Sequence, residues 1–426
     1  MAESLISNLP GTRDLLPMDI AGWQVVEDHA RQIFREYGFL EIRTPIIEPT
    51  ELFARGIGTD TDIVGKEMYT FEDQSGRSVT LRPEATASVV RAYIQNTMYR
   101  GKGVAKLCYF GPMFRHEKKQ KGRWRQFYQI GAEALGSGHP AIDAELIEMA
   151  IGLLDSLGVK SKLLVNSVGC SQCRPGFISL LRKALQSESA RLCDDCRRRT
   201  ITNSLRVFDC KKEGCQTSIQ NLPVIADNLC AECSEHFHTV QTHLVDAGIS
   251  FEIAPRLVRG LDYYVRTAFE IVSGELGAQN ALVGGGRYDG LSEALGGPSI
   301  QAIGFAMGLD RLTMILPQEK RESGKWKPEL FLAYQGDAAF KKALDISRDL
   351  RRKHRTCCLD FSGGSLKSQL RLANKMDAVH VLVIGTNELA INRYTIRKME
   401  DSSQWEIALS ELVPYLQSCD TMRGTS

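Results

Sequence analysis

The sequence predicts an α+β fold with a separate α/β domain at its C-terminal end. Helical and strand-like segments come in irregular order through most of the chain, whereas strands and helices alternate regularly after Pro328. Eight of the twelve cysteines lie between Cys170 and Cys233, which indicates a cysteine-rich module inserted into the first domain. We therefore predict a first domain formed by residues 1–165 and 241–325, an insertion at 166–240 and a last domain at 328–426.

Length and composition exclude several classes of protein. The 426 residues suffice for about two to four domains. Lys and Arg total 53 and Asp and Glu total 51, so the net charge of +2 argues against a polybasic protein, although a basic patch can exist within a neutral total. No apolar run approaches the ~18 residues of a membrane span, and no secretory signal is visible. We expect a cytoplasmic enzyme with no membrane partner.

Hydrophobic periodicity predicts the elements of the first domain. Residues 21–37 place Trp23 and Val26 on one helical face. Gly38 follows as a C-cap, and an extended segment continues over 39–47. The remaining predicted elements are strands at 67–72, 78–81, 104–110, 125–135 and within 251–287, and helices at 85–95, 141–157 and from about Ile303.

The last domain has the alternation of a mostly parallel sheet covered by helices. A polar, charged stretch from Pro317 to Pro328 precedes it and is a linker candidate. The predicted strands are 329–334, 357–361 and 379–384, and the predicted helices are 338–353, 365–375 and 406–418.

A strongly cationic loop joins the strands at 104–110 and 125–135. Five cations lie between Lys118 and Arg125, around Gly122. Such a loop suits a polyphosphate or the end of a nucleic acid, because Lys and Arg donate several hydrogen bonds to phosphate oxygens. A solvated hairpin tip is the alternative reading.

The cysteines of the insertion form four close pairs, which in a cytoplasmic protein favours metal over disulfides. Three pairs have the Cys-x-x-Cys spacing that lets two sulfurs chelate one zinc ion. Eight thiols suffice for two four-sulfur sites or for one site with spare thiols, and free buried thiols remain an alternative. His236 and His238 are possible substitutes. The candidate ligands are Cys170, Cys173, Cys193, Cys196, Cys210, Cys215, Cys230 and Cys233.

Five segments carry a family resemblance. Residues 38–45, the hairpin beginning Phe-Arg-His-Glu at 114–117, and the Gly-containing segment 302–312 resemble the three signature motifs of class II aminoacyl-tRNA synthetases. The segment 257–270, which contains Arg-Gly-Leu-Asp-Tyr-Tyr, and Gly-Gly-Gly-Arg-Tyr-Asp-Gly at 284–290 resemble the histidine-specific signatures of histidyl-tRNA synthetases.

The resemblance covers residues 8 to 420. Gly-Thr-Arg-Asp at 11–14 and Arg-Pro-Glu-Ala-Thr at 82–86 also match. One departure is Lys118-Lys119, where the family usually has Arg-Pro. A cation is kept there, so we expect little loss of phosphate contact.

The resemblance implies an antiparallel-sheet catalytic domain, the insertion and a C-terminal anticodon-binding domain. The implied activity joins L-histidine and ATP into histidyl-adenylate and transfers histidine to the 3′ end of tRNA(His). The family also implies Mg²⁺ on the β and γ phosphates and a homodimer joined through residues 38–45. The residues carried over are Arg259 and Arg115 for catalysis, and Arg115, Glu117, Phe127 and Arg311 for ATP.

A histidine pocket needs groups for both ends of the amino acid. The resemblance assigns Glu84, Thr86 and Gln129 to the ammonium end. We expect only one of the two adjacent tyrosines to face the pocket, because neighbours on a strand point to opposite sides. The imidazole end is assigned to Glu133 and Tyr264, with Tyr288 completing the wall, and Tyr263 is carried over as a further histidine-binding residue.

Two other functions are compatible with parts of this pattern. An inactive synthetase-like regulatory subunit of ATP phosphoribosyltransferase typically lacks parts of the hairpin, the Arg259 signature and the C-terminal domain, all of which are present here. A synthetase for proline or threonine would lack the segment at 257–270. The basic cluster Arg197–Arg199 suits the acceptor arm of tRNA, although a solvated surface is equally compatible.

Overall fold

The computed structural model describes residues 5–58, 61–117, 122–276 and 280–423. The chain forms two compact units, Met1–Gly324 and Lys325–Ser426. Within the described ranges, the helices are all too short or too polar to cross a membrane.

The first unit contains two sheets. Its strands are β1 Leu40–Glu41, β2 Ile47–Pro49, β3 Tyr69–Glu72, β4 Ser78–Leu81, β5 Ala105–Phe114, β6 Gln126–Leu135, β7 Lys162–Ser167, β8 Phe251–Ile253, β9 Val265–Val272, β10 Ala281–Arg287 and β11 Ala302–Gly308. The long sheet has the order β1-β5-β6-β11-β10-β9-β7-β8, and the small antiparallel sheet has the order β2-β4-β3.

The centre of the long sheet is antiparallel, and only its two edge pairs, β1 with β5 and β7 with β8, are parallel. Strands β5 and β6 form the predicted hairpin, with Phe114 opposite Gln126 at the end where the loop joins them. Strand β11 pairs with β6 on one side and β10 on the other. The predicted α+β class and antiparallel sheet are confirmed.

Helices cover the sheet and build the core. Phe34, Leu153 and Phe237 pack with Phe305 of the sheet in one buried cluster. The helices of this unit are α1 Pro17–Glu36, α2 Thr50–Ile57, α3 Thr86–Gln95, α4 Pro140–Ser156, α5 Arg174–Ser187, α6 Asp194–Thr202, α7 Glu213–Gln220, α8 Ala231–Asp246, α9 Leu291–Ala294, α10 Leu309–Ile315 and α11 Gln318–Ser323.

One sequence expectation in this unit is wrong. The helix expected from about Ile303 starts at Leu309, because residues 302–308 form a strand between β6 and β10.

The linker predicted from Pro317 to Pro328 contains the boundary between the two units, which lies after Gly324. Its first part forms helix α11, and Gly324 approaches Ala21 of α1 so closely that a Cβ would overlap its backbone. The polar residues of this part are good helix formers, so the segment begins as a helix rather than as an extended chain.

The insertion lies between β7 and β8 and consists of α5 to α8 joined by short turns. Phe177, Leu181, Val207 and Ile219 form a small buried core there with four of the cysteines. The last helix, α8, belongs instead to the main core of the first unit through Phe237. The insertion is therefore attached to the sheet by a helix that it shares with the main core.

The second unit is a five-stranded sheet with the order β13-β12-β14-β15-β16. The expectation of a mostly parallel sheet is half right, because β14, β15 and β16 are antiparallel and the last two strands were not predicted. Its elements are β12 Leu330–Tyr334, α12 Asp337–Arg352, β13 Cys357–Leu359, α13 Leu366–Lys375, β14 His380–Ile384, α14 Thr386–Ile391, β15 Tyr394–Lys398, β16 Gln404–Ile407 and α15 Leu409–Arg423.

Candidate active site

A cavity of about 650 Å³ is lined by both the long sheet and the insertion. Ten of the twelve residues that the sequence assigned to substrates line it, whereas Glu133 and Tyr288 do not and lie behind Thr86. The ten are Glu84, Thr86, Arg115, Glu117, Phe127, Gln129, Arg259, Tyr263, Tyr264 and Arg311.

Arg115 directly follows strand β5, at the start of the hairpin loop. Its Nε donates to the carbonyl oxygen of Pro83 at 2.8 Å, and its guanidinium carbon lies 5.3 Å from the ring centroid of Phe127. The side chain is therefore fixed at its inner end, while its outer end faces the cavity. This arrangement suits an anion that enters beside Phe127.

Glu117 carries the negative charge of the hairpin. Arg123 Nη1 donates to its Oε2 at 2.5 Å, and Arg115 Nη1 lies 3.8 Å from its Oε1. The predicted cations Lys118, Lys119 and Lys121 lie outside the described residues. Of the five cations between Lys118 and Arg125, the structure describes Arg123 and Arg125, and Arg123 lines the cavity.

Arg311 reaches the cavity from the first turn of α10. Its Nη1 donates to the carbonyl oxygen of Ala281 at 3.0 Å. The start of the helix is anchored by Asp310, which accepts from Arg13 Nη2 and from the backbone N–H of Tyr128, each at 2.9 Å. The N-terminal segment and the hairpin therefore fix the position of Arg311 together.

Arg259 is held inside the loop that precedes β9. Its Nη1 is paired with Glu270 of that strand. A Cβ at Gly284 would overlap the guanidinium, so a glycine is required for the close approach of β10. Burial alone would lower the pKa of Arg259, but the carboxylate of Glu270 and its other acidic neighbours raise it. The group stays a cation.

Glu84 caps the beginning of α3. Its carboxylate accepts from the backbone N–H groups of Thr86 at 2.7 Å and Ala87 at 3.0 Å. Burial raises its pKa, and these two hydrogen bonds oppose that rise. The positive end of the helix thus holds a buried carboxylate at the cavity wall.

Glu133 is fully buried behind the cavity. Its two oxygens accept from the Thr86 hydroxyl at 2.7 Å and the Tyr288 hydroxyl at 2.6 Å. Gly304 on the paired strand leaves room for the carboxylate, which a Cβ would overlap. Burial raises the pKa of Glu133 to about 8, against the lowering effect of the two hydroxyls.

Tyr263 and Tyr264 both line the cavity, so the expectation that only one would face it is wrong. They precede β9 in a turn, where the alternation of a strand does not apply. Their ring centroids are 4.7 Å apart, and the Tyr263 ring lies 5.7 Å from that of Tyr288. Three aromatic rings therefore pack at this end of the cavity.

The comparisons with known proteins agree with this geometry. The family model described as histidyl-tRNA synthetase matches residues 11–312, and the anticodon binding domain model matches residues 325–418. The chain belongs to the histidyl-tRNA synthetase family. The α+β class is therefore that of a class II synthetase with a C-terminal anticodon-binding domain.

Relatives and solved structures match over nearly the full length. A histidine–tRNA ligase of Solibacter usitatus is 50% identical over 416 residues, covering 97% of this chain and 99% of that protein. One from Syntrophotalea carbinolica is 47% identical, covering 95% and 96%. The crystal structure of apo histidyl-tRNA synthetase from S. aureus is 36% identical and covers 97% of this chain and 100% of that chain, with a TM-score of 0.81.

Sequence reasoning missed one whole side of the cavity within this synthetase fold. We call it the insertion wall, and the residues from the long sheet and its flanking helices form the sheet wall. Cysteine spacing marked Cys210 as a candidate metal ligand, but neither periodicity nor motif spacing marks the other residues of the insertion wall, because they reach the cavity only through the folding of the module. It consists of Arg206, Phe208, Asp209, Cys210, Lys211 and Gln216.

The eight cysteines of the insertion form two groups of four. We call Cys170, Cys173, Cys230 and Cys233 the base cluster and Cys193, Cys196, Cys210 and Cys215 the outer cluster. Within each cluster all four sulfurs lie within 4.8 Å of one another. The sequence left the grouping of the cysteines open. In the structure, the base cluster joins cysteines from both ends of the insertion, and the outer cluster joins cysteines that are closer together in the chain.

The geometry of the clusters suits a tetrahedral ion. Sulfur pairs of the base cluster are 3.5, 3.6 and 3.8 Å apart, and Cys193 and Cys210 are 4.0 Å apart. Four Zn–S bonds of ~2.3 Å would place the sulfurs about 3.8 Å apart. All eight thiols are free. His236 instead faces Asp143, with Nε2 and Oδ2 3.5 Å apart.

Proposed function

We propose that the chain activates L-histidine with ATP to histidyl-adenylate and then transfers histidine to the 3′ end of tRNA(His). The observation that carries the proposal is a single cavity that unites three fixed guanidiniums with a buried carboxylate and tyrosine network. The same chain carries both family matches.

The cationic part of the cavity fits the first chemical step. The histidine carboxylate attacks the α-phosphate of ATP, the bond to the β-phosphate breaks, and pyrophosphate leaves. Arg115 and Arg259 would neutralise charge that develops on the α-phosphate, and Arg311 would bind the phosphates. Magnesium would arrive with ATP as part of the substrate.

The hairpin would hold the adenine. Phe127 offers an aromatic face beside Arg115, and Glu117 offers carboxylate oxygens that accept from the adenine amino group. Arg123 already neutralises Glu117, so a neutral base can approach this acid without meeting an unpaired charge.

The network around Glu133 would select histidine. Glu84, Thr86 and Gln129 line the part of the cavity suited to an ammonium group, and Gln129 Oε1 has no hydrogen-bond partner within the described part of the chain. Tyr264 would meet the imidazole from the cavity wall, and Glu133 and Tyr288 would support this end of the site from behind Thr86. A site built from such groups rejects apolar amino acids, because its buried polar atoms would go unpaired.

The regulatory-subunit alternative is not favoured. The C-terminal unit matches the anticodon-binding model over residues 325–418, and the loop that carries Arg259 is present with its partner Glu270. A solved structure from Bacillus halodurans described as an ATP phosphoribosyltransferase regulatory subunit/histidyl-tRNA synthetase is 19% identical, which supports only the shared fold.

The proposal includes a homodimer in the cytoplasm. Residues Leu40 and Ile47, beside or within the first motif, are 71% and 51% exposed, and Phe71 of the small sheet is 46% exposed. The exposure of these apolar side chains supports the dimer that the family implies, because a second copy would cover them. Clustered free thiols suit a reducing compartment.

We also propose domain roles for two segments: residues 166–240 act as the inserted module, and residues 328–426 bind the anticodon.

We further propose that each thiol cluster binds one structural zinc ion. The small core of the insertion supports a need for metal, since modules of this size seldom fold on apolar burial alone. Protein purified without chelator should contain two equivalents of zinc per chain. Fewer than half an equivalent in fully active protein would refute the zinc sites.

The activity is tested by pyrophosphate exchange with a panel of amino acids. We expect exchange with histidine and at most a background rate with proline or threonine. Subsequent transfer should require tRNA(His). Exchange with another amino acid at a higher rate than with histidine would overturn the assignment.

A further inference from the structure

The insertion makes direct polar contact with the backbone of the Arg259 loop. Arg206 Nη1 donates to the carbonyl oxygen of Arg259 at 2.9 Å. The same nitrogen lies 2.9 Å from Asp209 Oδ2. Arg206 is therefore a bridge between an insertion carboxylate and the backbone of the residue that faces the cavity.

Other contacts fix the bridge in place. Arg199 donates from Nη1 to the carbonyl oxygen of Arg206 at 3.3 Å and from Nη2 to Asp62 at 2.9 Å. The side chain of Arg206 is 12% exposed.

Arg259 is thus held from two directions. Its guanidinium is paired with Glu270 of the sheet, and its carbonyl oxygen is held by Arg206 of the insertion. The residue that follows, Gly260, has no side chain to limit the backbone. Without the contact from Arg206, the guanidinium would be oriented by Glu270 and by the Tyr264 ring, whose centroid lies 6.0 Å from the guanidinium carbon. The Glu270 pair must yield when Arg259 meets a phosphate.

We propose that Arg206, fixed by Asp209, is a positioning residue for histidine activation that acts through Arg259. The insertion then takes part in the first chemical step as well as in any contact with tRNA. This inference rests on the proposed role of Arg259. A misplacement of about 1 Å at a catalytic group can cost ~10²-fold in rate, so the expected effect is large for a residue that touches no reacting atom.

The test is histidine-dependent pyrophosphate exchange without tRNA. Arg206→Ala should lower kcat about 10- to 100-fold and change the KM for histidine and ATP less than about threefold. Arg206→Lys should restore part of the loss. Arg191→Ala is the matched control, because that insertion arginine is 73% exposed and pairs with Glu188; it should stay within about twofold of the wild type.

A double-mutant cycle separates positioning from a general structural role. In an Arg259→Ala background, the Arg206→Ala change should cost less than about twofold, because the group it positions is gone. An equal loss in both backgrounds, or a wild-type rate in Arg206→Ala alone, would overturn the inference and leave the proposed function intact. A near-normal rate in Arg259→Ala alone would overturn the proposed role of Arg259 itself.

Folding is checked by the thermal unfolding midpoint and the metal content of each variant. If Arg206→Ala does not fold, the same cycle is run with Asp209→Asn, which keeps the shape of the side chain and removes the charge that fixes Arg206. Its loss of kcat should be about 3- to 10-fold and should likewise vanish in the Arg259→Ala background. An additive loss would again overturn the inference.

Discussion

The sheet wall and the insertion wall of the cavity differ in what holds them. The sheet wall presents Gln129 from strand β6 and Arg115 from the position directly after strand β5, and the register of these strands is fixed by ten consecutive residue pairs. The insertion wall presents Arg206 and Asp209 from a short turn before Cys210 of the outer cluster. One wall depends on backbone pairing, and the other depends on a few side-chain contacts and four thiols.

This difference separates two kinds of contribution to one site. A strand pair holds its residues regardless of any bound ion, so the sheet wall should tolerate loss of metal. The turn at 204–209 buries one apolar side chain, that of Val207. Its position should therefore depend on the outer cluster. Arg259 is held by both walls, because Arg206 of the insertion wall donates to its carbonyl oxygen and Glu270 of the sheet pairs with its guanidinium.

Arg259→Ala should have the largest effect, because it removes the group that both walls hold. Removal of one preorganised charge donor typically costs ~10²–10³ in rate. We expect that loss in histidine-dependent pyrophosphate exchange, with histidine binding by calorimetry largely unchanged. Arg182→Ala changes an insertion arginine that donates to the Ser204 hydroxyl and to the carbonyl oxygen of Ile201, and it should lose far less. Near-normal exchange in the Arg259 variant would exclude its catalytic role.

Cys193→Ser should show how far the insertion wall depends on metal. We expect the zinc content to fall from two equivalents to one and exchange to fall about tenfold, because the turn that carries Arg206 loses its anchor. Cys170→Ser should also lose one equivalent, but with the larger drop in unfolding temperature, since the base cluster joins the two ends of the module.

Cys358→Ser is the control for these two variants, because Cys358 lies in the second unit and outside both clusters. It should keep both equivalents of zinc and full exchange. Full activity of a Cys193→Ser protein that has lost its outer zinc would show that the insertion wall holds its shape without metal.

Glu133→Gln tests the carboxylate network behind the sheet wall. The amide presents one acceptor instead of two, so the KM for histidine should rise about tenfold, while the KM for ATP stays within about twofold. Because the amide cannot reproduce both hydrogen bonds, from Thr86 and Tyr288, selection against other amino acids should weaken as well. An ATP defect as large as the histidine defect would place Glu133 in the nucleotide site or the scaffold.

The same variant has a predicted pH dependence. The folded-state pKa of Glu133 is about 8, above its ordinary value of 4.5. Between these values the folded protein binds a proton that the unfolded chain releases, so the wild type loses stability as pH rises from 5 to 8. The unfolding temperature of Glu133→Gln relative to the wild type should therefore increase over that range. Exposed Glu319→Gln should show no such trend, and a flat difference for Glu133→Gln would contradict the raised pKa.

Sequence patterns predicted the sheet wall well because its residues are close in the chain or carry their own periodicity. The hairpin of β5 and β6, helix α1 and helix α3 follow from local alternation and helical spacing. Strand β11 was mistaken for the start of a helix because its apolar run suits both structures. Pairing with the neighbouring strand β10 and with β6, which is distant in sequence, decides that the segment is a strand.

The insertion wall could not be predicted for a related reason. Cysteine spacing indicated metal chemistry but not that Cys170 groups with Cys230, because 60 residues separate them. Likewise, nothing near Arg206 indicates that it meets the carbonyl oxygen of Arg259, since that contact spans 53 residues. Local chemistry predicts which residue types matter, and long-range packing decides which of them meet.

The smallest effect is expected at the outer surface of the insertion, and it should affect only the transfer step. Arg197 and Arg198 are 46% and 53% exposed, whereas Arg199 is 20% exposed and bonded to Asp62. Arg197→Glu with Arg198→Glu should lower aminoacylation several-fold by repelling tRNA phosphates and leave exchange unchanged. Arg199→Glu should impair exchange too, because it breaks the support of Arg206. Equal loss of both activities in the Arg197 and Arg198 double variant would indicate misfolding, and full aminoacylation would indicate a merely solvated surface.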